Sequence, residues 1–139
     1  AEANGVPMAL WSRLQHGETV DGYTPSMVLG EARRGIHVTY STDTRPADIL
    51  STMAADADLF ITEGMFESAK LERAKESQHM TMAEAAALAK EAGCAELWLT
   101  HFSPALPDPT PYAEEAAAVF PGAVLAADGI TKTIRFADE

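Results

Sequence analysis

The stretch from Ile36 to Pro46 constrains this chain most, because it joins two different periodicities across one turn. Ile36, Val38 and Tyr40 recur every second residue, the spacing of a strand with one buried face. Ser41-Thr42-Asp43-Thr44-Arg45 follows, and then Pro46, whose missing N–H leaves no bond unmade at the first position of a helix. The sequence therefore predicts a strand over Ile36–Tyr40, a turn carrying Asp43 and a helix from Pro46.

The same alternation continues downstream. Leu50, Met53 and Ala54 stand at helical offsets, Leu59-Phe60-Ile61 reads as a strand ending at Thr62-Glu63-Gly64, and the charged run Glu67 to Glu76 reads as a solvated helix or loop. Thr81-Met82-Ala83-Glu84 has the capping-box pattern, in which hydroxyl and carboxylate each satisfy an orphan N–H, and Gly93 is placed to end that helix. Leu97-Trp98-Leu99 predicts a further strand ending at Thr100-His101, and Tyr112 to Phe120 a further helix. Asp128-Gly129 predicts a hairpin between Val124–Ala126 and Thr133–Phe136. Strands alternating with helices indicate an α/β fold with at least partly parallel strands.

Composition bears on partners. With 139 residues and 47% hydrophobic content, the chain can bury a core as one domain. A formal charge of -11 argues against a surface that attracts nucleic acid everywhere. Lys70, Arg73 and Lys75 form a small basic group, read as a solvated face. Cys94 is the single cysteine, which excludes an internal disulfide and points to a reducing, cytoplasmic setting. No apolar run approaches the roughly 20 residues of a membrane span. Residues 5–30 are mixed in pattern and predict a short helix followed by loop or short strands.

Asp43, Glu63 and His101 each fall at the C-terminal end of a predicted strand, the edge at which open α/β sheets place their ligands. Asp43 is either a metal ligand or the cap of the following helix. His101 either offers an imidazole nitrogen to zinc or bonds to backbone. Glu63 and His79 are either a carboxylate–imidazole pair for acid–base work or unrelated surface residues. Arg45 either meets a phosphate or pairs with a carboxylate in its loop. His16 and His37 have no partner suggested by spacing, and Cys94 reads as a small core residue.

Taken in order, Tyr40-Ser41-Thr42-Asp43-Thr44-Arg45-Pro46, Thr62-Glu63-Gly64-Met65-Phe66, His79-Met80-Thr81 and Leu99-Thr100-His101-Phe102-Ser103-Pro104 resemble the later motifs of the ribonuclease Z family, tRNA 3′-end processing endonucleases of the metallo-β-lactamase superfamily. Leu10 to Glu18 is similar to the family's segment upstream of its aspartate. The resemblance implies half of an αββα sandwich, a mixed sheet with flanking helices. It also implies Asp43 and His101 as zinc ligands, Glu63 and His79 as the pair that assists proton transfer to the leaving group, and Arg45 as a substrate contact. Two zinc ions and a phosphodiester substrate, including precursor tRNA, are expected of the complete enzyme.

Three departures stand out. Thr42 replaces a glycine, Thr62 replaces a histidine, and Ala105-Leu106 occupy a place often basic and aromatic. The family's H-x-H-x-D-H motif does not occur in the chain. Residues 1–139 are accordingly expected to be the C-terminal portion of the domain, binding zinc weakly if at all alone, and to form a homodimer or pair with the other half through an apolar sheet face. The competing expectations are a non-catalytic half-domain serving as a binding or structural module, and part of another metallo-β-lactamase-fold hydrolase.

Overall fold

The computed structural model describes residues 4–136 and divides the chain into two compact units, Ala1–Arg34 and Gly35–Glu139. The first unit contains helix α1 (Met8–Gln15), whose entry is fixed by the Trp11 indole N–H donating to the Val6 carbonyl at 2.9 Å. A 3-10 turn at Pro25–Met27 and a bridge between Val20 and Tyr23 complete it.

In the second unit four strands, β1 (Val38–Tyr40), β2 (Leu59–Glu63), β3 (Leu97–Thr100) and β4 (Val124–Leu125), form one sheet in chain order. Each neighbouring pair is parallel, with Val38 opposite Leu59, Phe60 opposite Leu97 and Trp98 opposite Val124. Within the described residues the sheet is thus wholly parallel, not mixed. The expected hairpin lacks its second strand: Asp128-Gly129 does turn, but among the described residues Thr133–Phe136 forms no strand. Just before that segment, Lys132 bonds to Glu96.

Helices α2 (Asp48–Met53), α3 (Leu71–Glu76), α4 (Met82–Ala92) and α5 (Ala113–Ala117) connect the strands. The register puts Thr39, Phe60, Thr62, Leu97 and Leu99 on one face, where Phe60, Leu97 and Leu99 join Met80, Met82 and the small residues of α4 in the core. Four of the six alanines on α4 (85, 86, 89 and 92) are buried and let its axis approach the sheet, while Ala83 and Ala87 lie on its outer side. The predicted capping box is present in full, and Gly93 takes the left-handed conformation at φ 65°, which costs a residue without Cβ little. On the opposite face the edge strand is the open part, with Val38 48% and Tyr40 67% exposed, whereas Leu59 and Trp98 are buried.

Several boundaries move. The first strand begins at Val38, not Ile36, and the last helix ends at Ala117 after a 3-10 turn, short of Phe120. The helix expected from Pro46 begins at Asp48, because Ala47 is still extended at φ -145°, ψ 142°. No side chain caps it, so the capping role considered for Asp43 is not what that residue does.

Candidate metal centre

Parallel strands deliver their C-terminal ends to one edge, and the loops leaving that edge are held by continued backbone bonding. Ser41 N–H donates to the Ile61 carbonyl at 2.9 Å, Gly64 N–H to Thr100 at 3.0 Å and Ala126 N–H to Leu99 at 2.9 Å. Asp43 therefore stands three residues beyond β1, Glu63 is the last residue of β2, and His101 immediately follows β3. His101 ends its strand with a φ of 57°, a left-handed conformation uncommon outside glycine that stores on the order of 1 kcal/mol or more.

The segment carrying His79 reaches this edge by a second set of bonds. Met82 N–H donates to the Phe66 carbonyl at 2.9 Å, Phe66 N–H to Met80 at 3.3 Å and Ser103 N–H to Met65 at 2.9 Å. Gly64 makes the close approach feasible: a Cβ there would lie 3.3 Å from both Leu99 and Met82. These contacts bring Asp43, His79 and His101 together, with one ligand atom from each within 4.8 Å of the others. Asp43 Oδ1 lies 3.2 Å from His101 Nε2.

Glu63 orients the group from beneath. Its carboxylate is 1% exposed and accepts three N–H bonds: Oε1 from Thr44 at 2.5 Å and from His79 Nδ1 at 3.1 Å, Oε2 from Met80 at 3.0 Å. A carboxylate accepts only, so Nδ1 of His79 carries the proton and Nε2 is the nitrogen left to offer. The Phe66 ring stands edge-on to His79 with centroids 6.3 Å apart, fixing the imidazole from its other side.

Arg45 resolves toward the second of its two readings. Its guanidinium forks onto Glu84 at 3.0 and 2.5 Å and also donates to the His79 carbonyl at 2.5 Å. Burial works to raise the Glu84 carboxyl, but the Arg45 and Thr81 hydrogen bonds and the Arg45 charge outweigh it and hold the group below the usual carboxylate range. The capping-box glutamate of α4 thus also locks the Asp43 loop to the His79 loop, a link 39 residues long that no local pattern announces.

His37 and His16 stay outside the site, bonding Thr39 and the Ser12 carbonyl respectively. Cys94 is buried in the core, and burial raises its thiol. The sequence reading assigned His79 only to the pair with Glu63; its place within the donor group is new.

One carboxylate oxygen and two imidazole nitrogens are suitable donors for a zinc-like ion. Ligand atoms about 2.0–2.1 Å from a tetrahedral ion stand roughly 3.4 Å apart. The 3.2 Å between Asp43 and His101 meets that spacing.

A parallel α/β sheet with this donor set on its C-terminal edge is the arrangement of a metallo-β-lactamase-type domain. The model of the beta-lactamase superfamily domain accordingly matches residues 4–102. Among solved structures, the metallo-β-lactamase fold protein YhfI from Bacillus subtilis is 34% identical with a TM-score of 0.58, over 65% of this chain and 36% of that one. The short form of human tRNase Z is 29% identical with a TM-score of 0.50, over 65% of this chain and 29% of that one.

Ribonuclease Z of Lachnospira eligens is 49% identical over 144 residues, covering 100% of this chain and 47% of the relative. Ribonuclease Z of Clostridium acetobutylicum is 48% identical over 98% of this chain and 46% of its own length. The chain belongs to the beta-lactamase superfamily, and over nearly its whole length it is similar to these ribonuclease Z relatives. It spans about half the length of the curated relatives it matches.

Proposed function

We propose that this chain is the C-terminal half of a zinc-dependent phosphodiesterase that cleaves precursor tRNA at its 3′ end. The observation that carries the reading is the convergence of Asp43, His79 and His101 from three separate loops. The relatives named ribonuclease Z support the substrate class. Two zinc ions, when bound, neutralise charge on the phosphate and activate the attacking water.

Asp43 and His101 would hold the metal, which would supply charge neutralisation at the phosphate. Glu63 holds the His79 ring by its Nδ1–H; in its doubly protonated form the ring donates the Nε2 proton to the leaving oxygen and is left as the neutral Nδ1–H tautomer still bonded to Glu63. Arg45 serves by clasping the Asp43 and His79 loops through Glu84 rather than by meeting the phosphate.

The remaining ligands lie in the part of the relatives' length that this chain does not span. Residues 1–139 alone are therefore inactive. Pairing with that half, through the apolar edge at Ile36, Val38 and Tyr40, completes the site. A cytoplasmic setting goes with this reading, in keeping with the buried free thiol of Cys94.

The test joins the chain to the complementary half encoded with it and measures zinc content and precursor-tRNA cleavage. Asp43→Ala and His101→Ala are each expected to lower zinc content and abolish cleavage. Full zinc content and cleavage in both variants would overturn the assignment.

A further inference from the structure

The basic group Lys70, Arg73 and Lys75 does not act as one solvated face. Lys75 is paired with Glu72 at 2.8 Å. Lys70 and Arg73 instead line a cleft of about 580 Å³ that is also bordered by His79. Lys70 makes no ion pair among the described residues, and Arg73 has only a loose contact with Glu76 at 3.6 Å, both side chains being well exposed. Phe66 and Leu106 supply an apolar wall, and Glu67 is the one acid in the lining.

On the other flank of the donor group, a second cleft of about 450 Å³ is bordered by His101 and carries Asp128 as its charged group. The two clefts share Ser103 and Leu106, so they lie on either side of one ridge. The first has the size of a small-molecule site, an apolar wall for a base and two cations for a phosphate; the second has the wrong charge for an anion.

We infer that the cleft beside His79 is the subsite for the nucleotide whose 3′ oxygen leaves, with its base against Phe66 and Leu106 and its 5′ phosphate between Lys70 and Arg73. Which side of the scissile bond it takes rests on the proposed role of His79 as donor to that oxygen. Binding of a nucleotide there does not.

The probe is adenosine 5′-monophosphate, titrated into the 139-residue chain and followed by amide NMR shifts, with adenosine and inorganic phosphate titrated separately. The monophosphate is expected to shift amides in 65–79 and 103–106. Adenosine and phosphate should each bind about tenfold more weakly, because each forfeits one of the two contacts. Lys70→Gln and Arg73→Gln should each raise the Kd about fivefold, the effect of one exposed charge contact.

Shifts confined to other residues, phosphate binding as tightly as the monophosphate, or unchanged affinity in both variants would each overturn the subsite. Asp43→Ala, made in the chain joined to its complementary half and titrated in parallel with zinc and with the monophosphate, separates the two readings. Nucleotide binding at full strength with a lost zinc response is the expected result. An undiminished zinc response sinks the metal assignment and leaves the subsite standing.

Discussion

Replacing Glu63 by alanine removes one acceptor from three donors at once. The Thr44 and Met80 N–H groups and the His79 ring all point at a side chain that is 1% exposed, so none of them has water already at hand. A buried donor left unmade costs about 1–3 kcal/mol. Water entering the vacated space recovers part of that, since a site with several polar partners can hold one.

The expected destabilisation of Glu63→Ala is therefore about 3–5 kcal/mol, below the simple sum of three losses. Glu63→Gln is the sharper variant, because it keeps shape and changes one atom. Its amide oxygen can still serve Thr44 and His79, but its NH2 group then faces the Met80 N–H, donor against donor. One unmade bond predicts a loss of about 1–3 kcal/mol, between wild type and alanine.

Urea unfolding at neutral pH measures the order, and the His79 ring nitrogens report by NMR whether the tautomer is lost with the acceptor. Equal or greater stability in Glu63→Gln would refute the reasoning, since relief of carboxylate desolvation would then outweigh the lost Met80 bond.

Other consequences follow from single contacts. Thr62 is fully buried and its hydroxyl has no hydrogen-bond partner among the described residues, so Thr62→Val is expected to raise stability by about 1 kcal/mol in thermal unfolding. Gly64→Ala should cost about 1–3 kcal/mol, because the new methyl meets Leu99 and Met82 at 3.3 Å; unchanged melting would mean that both side chains can give way. The Glu84 carboxyl is held below its ordinary value of 4.5 in the folded chain. Its contribution is thus present above that ordinary value and lost as pH falls through the lower folded one. Glu84→Gln should lower stability at neutral pH, and its stability should fall less steeply than wild type below about pH 4.

How much could be read beforehand depended on how local the cause was. The α4 capping box and Gly93 were legible because each is a short-range bond between residues a turn apart. The strands β1, β2 and β3 were legible as apolar runs, with errors of one or two residues at their ends. Asp43, Glu63 and His101 were legible as a set once strand ends were known, because parallel strands share one edge.

What stayed hidden was bonding across long separations: the Arg45 clasp on Glu84, the backbone donors gathered by Glu63, and the ridge formed by Ser103 and Leu106 between the clefts. The period-two run Thr133–Phe136 misled because alternation specifies a face, not a partner, and among the described residues the run forms no strand.

The sheet order has a temporal meaning as well. Because β1, β2, β3 and β4 lie side by side in the sequence in which they are synthesised, each strand can add to an edge that already exists. The three side chains of the site arrive in the same order: Asp43, then His79, then His101. A nascent chain cannot bring all of them together until β3 has docked, so the sheet itself sets the moment at which the group is complete.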